Sequence, residues 1–104
     1  MKLAIIGGKT STVGFKALGL DTFTVRRPVE APEVWKRMDP AQYAVVLVTE
    51  PVYRVLKEEI GALDRESLPV ITVIPAVTGS AGVGERELRE LVERAVGTDV
   101  MFRE

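Results

Sequence analysis

Residues 7–12, with the sequence GGKTST, carry residue types that hold phosphate groups in many proteins. A glycine, a lysine and a hydroxyl residue end the loop G-x-x-x-x-G-K-[ST], which wraps its backbone amides around nucleotide phosphates. Here the position five residues before Gly8 is Leu3, and the residues between them form an apolar, strand-like run. Because a strand cannot curl its amides around a phosphate, we do not expect nucleotide hydrolysis at this segment.

Two other signatures of ligand-binding α/β proteins are missing at the predicted strand ends. The glycines near residue 8 lack the G-x-G-x-x-G spacing that binds dinucleotides. A phosphorylated receiver domain needs acidic residues after its first and third strands and a lysine after its fourth, whereas this chain has Gly8, Thr49 and Pro75-Ala76 there. A phosphotransfer role is therefore not expected. A small-ligand pocket around Gly8, Thr49 and Ala76 stays open as an alternative function.

The composition narrows the kind of protein further. The chain has 104 residues, enough for one domain, and 46% of them are hydrophobic. Its net charge of −1 gives no reason to expect a nucleic acid or an anionic membrane as partner. It contains no histidine and no cysteine, so it lacks the common nucleophile–base pairs, thiolate zinc sites and disulfides. We expect a cytoplasmic, non-enzymatic domain with no cofactor or metal, no direct membrane insertion and no signal peptide.

Four apolar, β-branched runs predict the strands. They are residues 3–6, 22–25, 43–48 and 69–74. The first, third and fourth runs are nearly continuous, which indicates strands buried on both faces of a parallel sheet, whereas the second alternates like an edge strand.

Helical patterns separate these runs. They cover residues 13–20, 31–38, 52–63 and 84–96. Thr10, Ser11 or Thr12 is the predicted cap of the first helix, which Gly19 is expected to stop, and Thr49 is the predicted cap of the third. The apolar stripe of the third helix is predicted to comprise Val52, Val55, Leu56, Ile60 and Leu63. The order β-α-β-α-β-α-β-α with right-handed crossovers favours a small three-layer α/β sandwich, receiver/flavodoxin-like, with four parallel strands in the order 2-1-3-4.

The C-terminal quarter of the chain reads as a hinged helix. Residues 1–76 are predicted to form the α/β core, residues 77–84 a glycine-rich hinge, and residues 85–104 an amphipathic helix and tail. The hinge glycines are Gly79, Gly82 and Gly84. The apolar stripe of the helix comprises Leu88, Leu91, Val92, Ala95 and Val96. This stripe could pack on its own sheet or bind the helices of a partner, and the pattern is compatible with both.

Several segments in the same order resemble the F subunit of the V/A-type rotary ATPases. Residues 14–19, GFKALG, are similar to the G-F-x-L-A-G turn of that family, and residues 45–50 resemble its third strand, which ends in Thr-Glu. Residues 69–75 resemble its fourth strand between prolines, and the glycine-rich loop with a final helix ending at residues 95–99 completes the pattern. The resemblance covers essentially the whole chain.

This resemblance implies a non-catalytic subunit of the central stalk. The F subunit of this family binds the coiled coil of the D subunit inside and below the ring of A and B subunits. It couples ATP hydrolysis or synthesis to proton or sodium transport, as a cytoplasmic part of a membrane-bound complex. The resemblance would give the five apolar residues of the C-terminal helix a partner-binding and regulatory role, with the three hinge glycines allowing the helix to move. The alternatives are the small-ligand binder described above and a degenerate receiver-like domain that signals by docking.

Overall fold

The computed structural model describes residues 2–63, 69–76, 90 and 93–94, and the described part contains one sheet of four parallel strands. The strands are β1 (Leu3–Gly7), β2 (Asp21–Thr24), β3 (Val45–Thr49) and β4 (Val70–Ile74). Their order is β2-β1-β3-β4, which confirms the predicted topology. In the register of the central strand, Ile5 lies beside Thr22 of β2 and Leu47 of β3. Because the strands are parallel, their carboxyl ends meet at one edge of the sheet, where open α/β folds place their ligands.

Within the described residues, three α-helices join these strands. They are α1 (Lys9–Lys16), α2 (Ala31–Met38) and α3 (Glu50–Gly61), with short 3₁₀ helices over Pro28–Glu30 and Pro40–Gln42. α2 has the predicted bounds, and Pro32 lies in its first turn, where a missing amide removes no helical hydrogen bond. The other two begin earlier than predicted, α1 at Lys9 rather than residue 13 and α3 at Glu50 rather than residue 52.

The side-chain caps predicted for α1 and α3 do not form. Thr10, Ser11 and Thr12 lie inside α1, whose N-cap residue is Gly8 and whose N-terminus has no side-chain cap. Thr49 is the N-cap residue of α3, as predicted, but its side chain makes no capping hydrogen bond. Both helices thus start directly at a strand end; the Lys9 and Thr10 amides of α1 have no backbone acceptor among the described residues, whereas Pro51 in the first turn of α3 has no amide hydrogen.

Left-handed residues follow two of the helices. α1 ends at Lys16, earlier than the predicted stop, and Gly19 lies in the turn beyond it with a φ of 92°. The Gly19 amide donates to the carbonyl oxygen of Lys16 at 3.0 Å. Asp39 ends α2 with a φ of 52°, and Pro40 follows it. Glycine adopts a positive φ without steric cost, and aspartate is among the few other residues that tolerate it.

The sheet separates two apolar cores. The face covered by α2 and α3 buries Ala4, Ile6, Val46 and Val48 from the strands with Trp35, Met38, Val52 and Leu56 from the helices. The other face buries Leu3, Ile5, Val45, Leu47 and Ile74 with Phe15 and Leu20. Phe15 belongs to α1 and is fully buried, so it anchors this helix to the sheet.

Two burial predictions were wrong. β4 is an edge strand that leaves 54% of Val70 and 42% of Val73 exposed, so it is not buried on both faces. Val55, predicted to lie in the buried stripe of α3, is 37% exposed, whereas Val52 and Leu56 are buried. At about 100° per residue, Val55 lies roughly 80° from the centre of the face that Val52 and Leu56 share, which places it at the margin of the buried stripe.

Candidate functional site

The carboxyl ends of the strands border a pocket of about 320 Å³ between the first turns of α1 and α3. Gly8 follows β1, Thr49 ends β3 and Ala76 follows β4, and the structure brings all three to the wall of this pocket. The other lining residues are Lys9, Thr10, Ser11, Val25, Arg26, Pro28, Pro51 and Val52. The pocket wall therefore combines two cationic side chains, three hydroxyl residues and an apolar surface, and none of these lining residues is acidic.

The backbone around Gly8 explains why the GKT segment is not a nucleotide-hydrolase loop. β1 continues as a strand through Gly7, and α1 starts at Lys9, so no loop precedes the lysine. The Thr12 amide donates to the Gly8 carbonyl oxygen at 3.0 Å, whereas the amides of Lys9 and Thr10 have no backbone acceptor among the described residues. Unpaired first-turn amides and the helix dipole make this end of α1 positive.

Close contact between β1 and β3 fixes one side of the pocket. A Cβ atom on Gly7 would lie 2.6 Å from Thr49 Cγ2 and 3.0 Å from Thr49 Oγ1. Gly7 therefore lets the Thr49 side chain lie directly against the β1 backbone, where Thr49 is only 1% exposed. The sequence alone does not indicate this role of Gly7, because nothing in one strand shows which side chain of the neighbouring strand needs the space.

A hydroxyl pair fastens α1 at the pocket. The Thr12 and Thr24 Oγ1 atoms are 2.7 Å apart and share a hydrogen bond, and Thr12 Oγ1 also donates to the Lys9 carbonyl oxygen at 3.2 Å. Thr12 is buried, so these bonds satisfy its hydroxyl away from water. The pair holds the first turn of α1 against β2 and fixes the position of Lys9 relative to the sheet.

The cations of the pocket are not neutralised by neighbouring carboxylates. Neither Lys9 nor Arg26 forms an ion pair with a described residue, and Lys9 and Glu50 do not pair with each other. Glu30 instead accepts a 3.3 Å hydrogen bond from the Arg26 backbone amide and pairs at 3.7 Å with Arg27, which is largely exposed. Such an exposed pair contributes little to stability.

A second polar cluster lies at the amino-terminal ends of the strands, opposite the pocket. The Tyr43 hydroxyl donates a 2.9 Å hydrogen bond to Asp21 Oδ2, and Lys2 Nζ lies 5.2 Å from the Tyr43 ring centroid. Burial, the hydrogen bond to Asp21 and the charges of Asp21 and Asp39 raise the pKa of Tyr43 to about 12. The Phe23 ring meets the Tyr43 ring edge to face, with centroids 6.0 Å apart. In this cluster Tyr43 is buried, whereas Asp21 and Lys2 are exposed at the starts of β2 and β1. No sequence signal points to the cluster, because its members are far apart along the chain.

The sites predicted in the C-terminal segment lie outside the described residues. These are the partner-binding residues Leu88, Leu91, Val92, Ala95 and Val96, and the hinge residues Gly79, Gly82 and Gly84. Of the same segment, Glu90, Glu93 and Arg94 are described and helical, and Glu90 and Arg94 are exposed.

The described residues offer neither a metal cluster nor a membrane span. No group of three or more Asp, Glu, His or Cys residues in this part of the chain is placed to hold a metal ion. None of its helices is both long enough and apolar enough to cross a membrane.

The fold and the pocket define the class of protein. Four parallel strands in the order 2-1-3-4, with helices on both faces, form a receiver/flavodoxin-like α/β sandwich. The pocket at its strand ends is lined by cations and hydroxyls, so it is not the acidic phosphorylation site of a receiver domain.

Comparison with known proteins identifies the family. Residues 3–92 match the family model described as ATP synthase (F/14-kDa) subunit. The F subunit of the V-type ATP synthase of Clostridium perfringens is 35% identical over 100 residues, which cover 96% of this chain and 95% of the relative. The F subunit of the A-type ATP synthase of Methanothermobacter thermautotrophicus is 29% identical over 101 residues, covering 95% of both chains. The chain therefore belongs to the ATP synthase (F/14-kDa) subunit family, as an F subunit of V/A-type complexes.

Proposed function

We propose that this chain is a non-catalytic subunit of the rotor shaft of a V/A-type ATP synthase. In this role it binds the coiled-coil D subunit inside and below the ring of A and B subunits. It thereby couples ATP hydrolysis or synthesis to proton or sodium transport. The observation that carries the proposal is the family match over residues 3–92, supported by relatives named as F subunits that align over nearly their whole length.

The chemistry at the strand ends supports a non-catalytic role. General acid–base catalysis needs a titratable group near the reacting atoms, with a pKa close to the working pH. Among the described residues, those that line the pocket include no carboxylate, imidazole or thiol, and Glu50 on the first turn of α3 is exposed and does not line it. The pocket is thus equipped to bind rather than to transform a ligand.

An uncharged sheet edge supports a role in protein–protein contact. β4, with the sequence VITVI, contains no charged residue, and its outer edge pairs with no other described strand. Val70 and Val73 are both substantially exposed on it. Isolated proteins usually protect such edges with charges or bulges, so an apolar edge that pairs with no described strand favours a partner in the assembled complex.

The C-terminal helix is the second proposed contact. Its apolar stripe, from Leu88 to Val96, has the i, i+3, i+4 and i+7 spacing with which an amphipathic helix binds a groove or another helix. The hinge glycines at positions 79, 82 and 84 would let the helix leave its own sheet and lie along the coiled coil. This movement would give the helix a regulatory effect on ATPase activity.

Co-purification with the D subunit tests this function. The chain and the D subunit of the same complex would be expressed together, and the complex measured by size-exclusion chromatography with light scattering. We expect a stable complex that Leu88→Asp with Leu91→Asp weakens, because two charges then replace the apolar contact. The matched control changes Glu90 and Arg94 to Ala on the exposed face and should leave binding intact.

The fluorescence of Trp35 separates loss of binding from loss of folding. Trp35, the single tryptophan, lies on the buried face of α2 in the core, so its emission reports the folding of the core. If the wild-type chain does not bind the D subunit, the rotor assignment fails. If the paired Asp substitutions unfold the core, the helix is part of the domain interior and the mobile-helix mechanism is wrong.

A further inference from the structure

The pocket at the strand ends has the features of an anion site that the assembly role leaves unused. The N-termini of two helices of eight and twelve residues, α1 and α3, open onto it from neighbouring strands. Their N-cap residues are Gly8 and Thr49. We propose that this pocket binds a phosphate group, either as inorganic phosphate or as the head of a small phosphate ester.

The helix N-termini supply the first part of the attraction. The Lys9 and Thr10 amides of α1 have no backbone acceptor in the described part of the chain. α3 contributes a second dipole, and the N-terminal ends of both dipoles are positive. Unpaired amides that converge with a dipole are the usual binding groups for phosphate at a helix start.

The buried Thr49 side chain is a second, independent indication of a ligand site. Thr49 is 1% exposed, lines the pocket, and forms no hydrogen bond through its side chain to any described residue. No described side-chain oxygen is both fully buried and unpartnered, so the Thr49 hydroxyl reaches the pocket surface rather than the apolar core. At the pocket surface this hydroxyl has no protein partner among the described residues, so it can donate a hydrogen bond to a ligand oxygen.

The charges at the pocket select an anion over a neutral ligand. Lys9 and Arg26 line it, and neither is paired with a carboxylate among the described residues. Arg27 takes up the Glu30 carboxylate at 3.7 Å, which leaves the neighbouring Arg26 side chain free for another anion. Arginine and lysine are the side chains that most often bind phosphate, and hydrogen bonds to an ion are roughly twice as strong as neutral ones.

The rest of the pocket allows the phosphate to carry an organic group. Its wall includes Val25, Pro28, Pro51, Val52 and Ala76. The volume of about 320 Å³ is roughly ten times the share of one water molecule in the liquid, more than a single phosphate fills. An apolar wall beside a polar anchor is the usual design of a small-ligand site. The role of the site is binding alone, with no bond made or broken.

Binding of inorganic phosphate to the full-length chain is the direct test. Isothermal titration calorimetry and amide chemical shifts would be measured at constant ionic strength, with sodium chloride as the reference salt. Glycerol 1-phosphate, titrated in parallel, separates the two sources of the phosphate group. We expect saturable binding of at least one of the two, with the largest amide shifts at residues 8–10 and 49.

Matched variants locate the site. Lys9→Gln with Arg26→Gln should weaken binding about tenfold or more, because two charge-assisted contacts are lost. Lys16→Gln with Lys36→Gln makes the same change in net charge at two exposed residues that do not line the pocket, and it should alter affinity by no more than about twofold, as expected of screened surface charge. Thr49→Val should weaken binding without lowering the melting temperature, because its hydroxyl supports no other contact.

The outcomes decide the proposal. Tighter binding of glycerol 1-phosphate than of inorganic phosphate assigns the apolar wall to the organic group, and equal binding assigns the site to the ion alone. Non-saturable shifts, shifts that chloride reproduces, or equal losses in both double variants would overturn the proposal. The phosphate titration uses the chain without the D subunit and the co-purification uses no added phosphate, so failure of either assignment leaves the other standing.

Discussion

Replacement of Gly7 by alanine should destabilise the chain through one contact. The new Cβ would lie 2.6 Å from Thr49 Cγ2, about 1 Å closer than carbon atoms normally approach. Thr49 is buried, so it cannot move away without shifting β3. Overpacking of this kind costs about 1–3 kcal/mol, and the reduced freedom of the unfolded chain returns about 0.4–1 kcal/mol. We expect a net loss of about 1–2 kcal/mol in the free energy of unfolding.

A double-mutant cycle isolates the contact. In a Thr49→Ala background the nearest Thr49 atom to the new Cβ is the β-carbon at 3.3 Å, a much milder conflict. Gly7→Ala should then cost no more than about 0.5 kcal/mol, which gives a coupling energy of about 1 kcal/mol or more. Gly8→Ala is the control, because a Cβ there meets nothing within 4 Å and its φ of −72° suits alanine. Alanine caps the helix less well than glycine, but it also restricts the unfolded chain, and these effects oppose each other. The net change in the free energy of unfolding should therefore stay within about 0.5 kcal/mol.

Urea denaturation followed by Trp35 fluorescence measures the free energy of unfolding of all these variants through the same buried residue. The reasoning is refuted if Gly7→Ala costs the same with and without the Thr49 γ atoms, because the loss would then come from the backbone. It is also refuted if Gly8→Ala is as damaging as Gly7→Ala.

Three further changes test other parts of the fold. The fold raises the pKa of Tyr43 from 10.0 to about 12, so the stabilisation that the protonated hydroxyl adds is complete below pH 10 and declines as the pH rises to 12. In that range the free energy of unfolding should fall by up to about 1.4 kcal/mol per pH unit because of Tyr43, and Tyr43→Phe should remove this slope. Urea denaturation at each pH measures it. A Tyr43→Phe slope equal to that of the wild type would contradict the raised pKa of Tyr43, whose largest cause is burial of the hydroxyl. Gly19→Ala should lose about 1–2 kcal/mol because alanine is strained at a φ of 92°, and an unchanged urea midpoint would disprove that turn. Phe15→Ala should lose about 3–5 kcal/mol by leaving a cavity between α1 and the sheet, and a loss below about 1 kcal/mol would show that α1 is not anchored there.

The strands and their order were predictable because they depend on local composition. Runs such as residues 43–48 are long enough and apolar enough to leave little choice between strand and loop, and the alternation of strands with helices then restricts the topology. α2 was also predicted with its correct bounds, since Pro32 and the residues around it mark its start. These features need no knowledge of what each segment packs against.

The errors came from features that depend on neighbours. α1 starts at Lys9, inside the polar GKTST segment, because Gly8 ends the strand and Thr12 gains a partner in Thr24 rather than acting as a cap. Val55 satisfies the spacing of the buried stripe, but it lies at the margin of the face that α3 presents to the core. The three residues of the alternative site could be placed together because parallel strands end at one edge, whereas the unpaired Thr49 hydroxyl could be seen only in the structure.

The two edges of the sheet differ in a way that bears on assembly. The β2 edge begins at Asp21, a charged residue held by the Tyr43 hydroxyl, whereas β4 has no charged residue and exposes 42% of Val73. Charges on an edge strand discourage pairing with another chain, so among the described strands the β4 edge is better suited to a partner than the β2 edge. Val73→Lys should change the stability of the isolated chain by less than about 1 kcal/mol, because the side chain is already partly in water. The same change should reduce capture of the chain by the rest of the ATP synthase complex, measured by co-purification against Thr22→Lys on the β2 edge. Equal capture of both variants would mean that β4 faces water in the complex, and the C-terminal helix would then have to supply the contact alone.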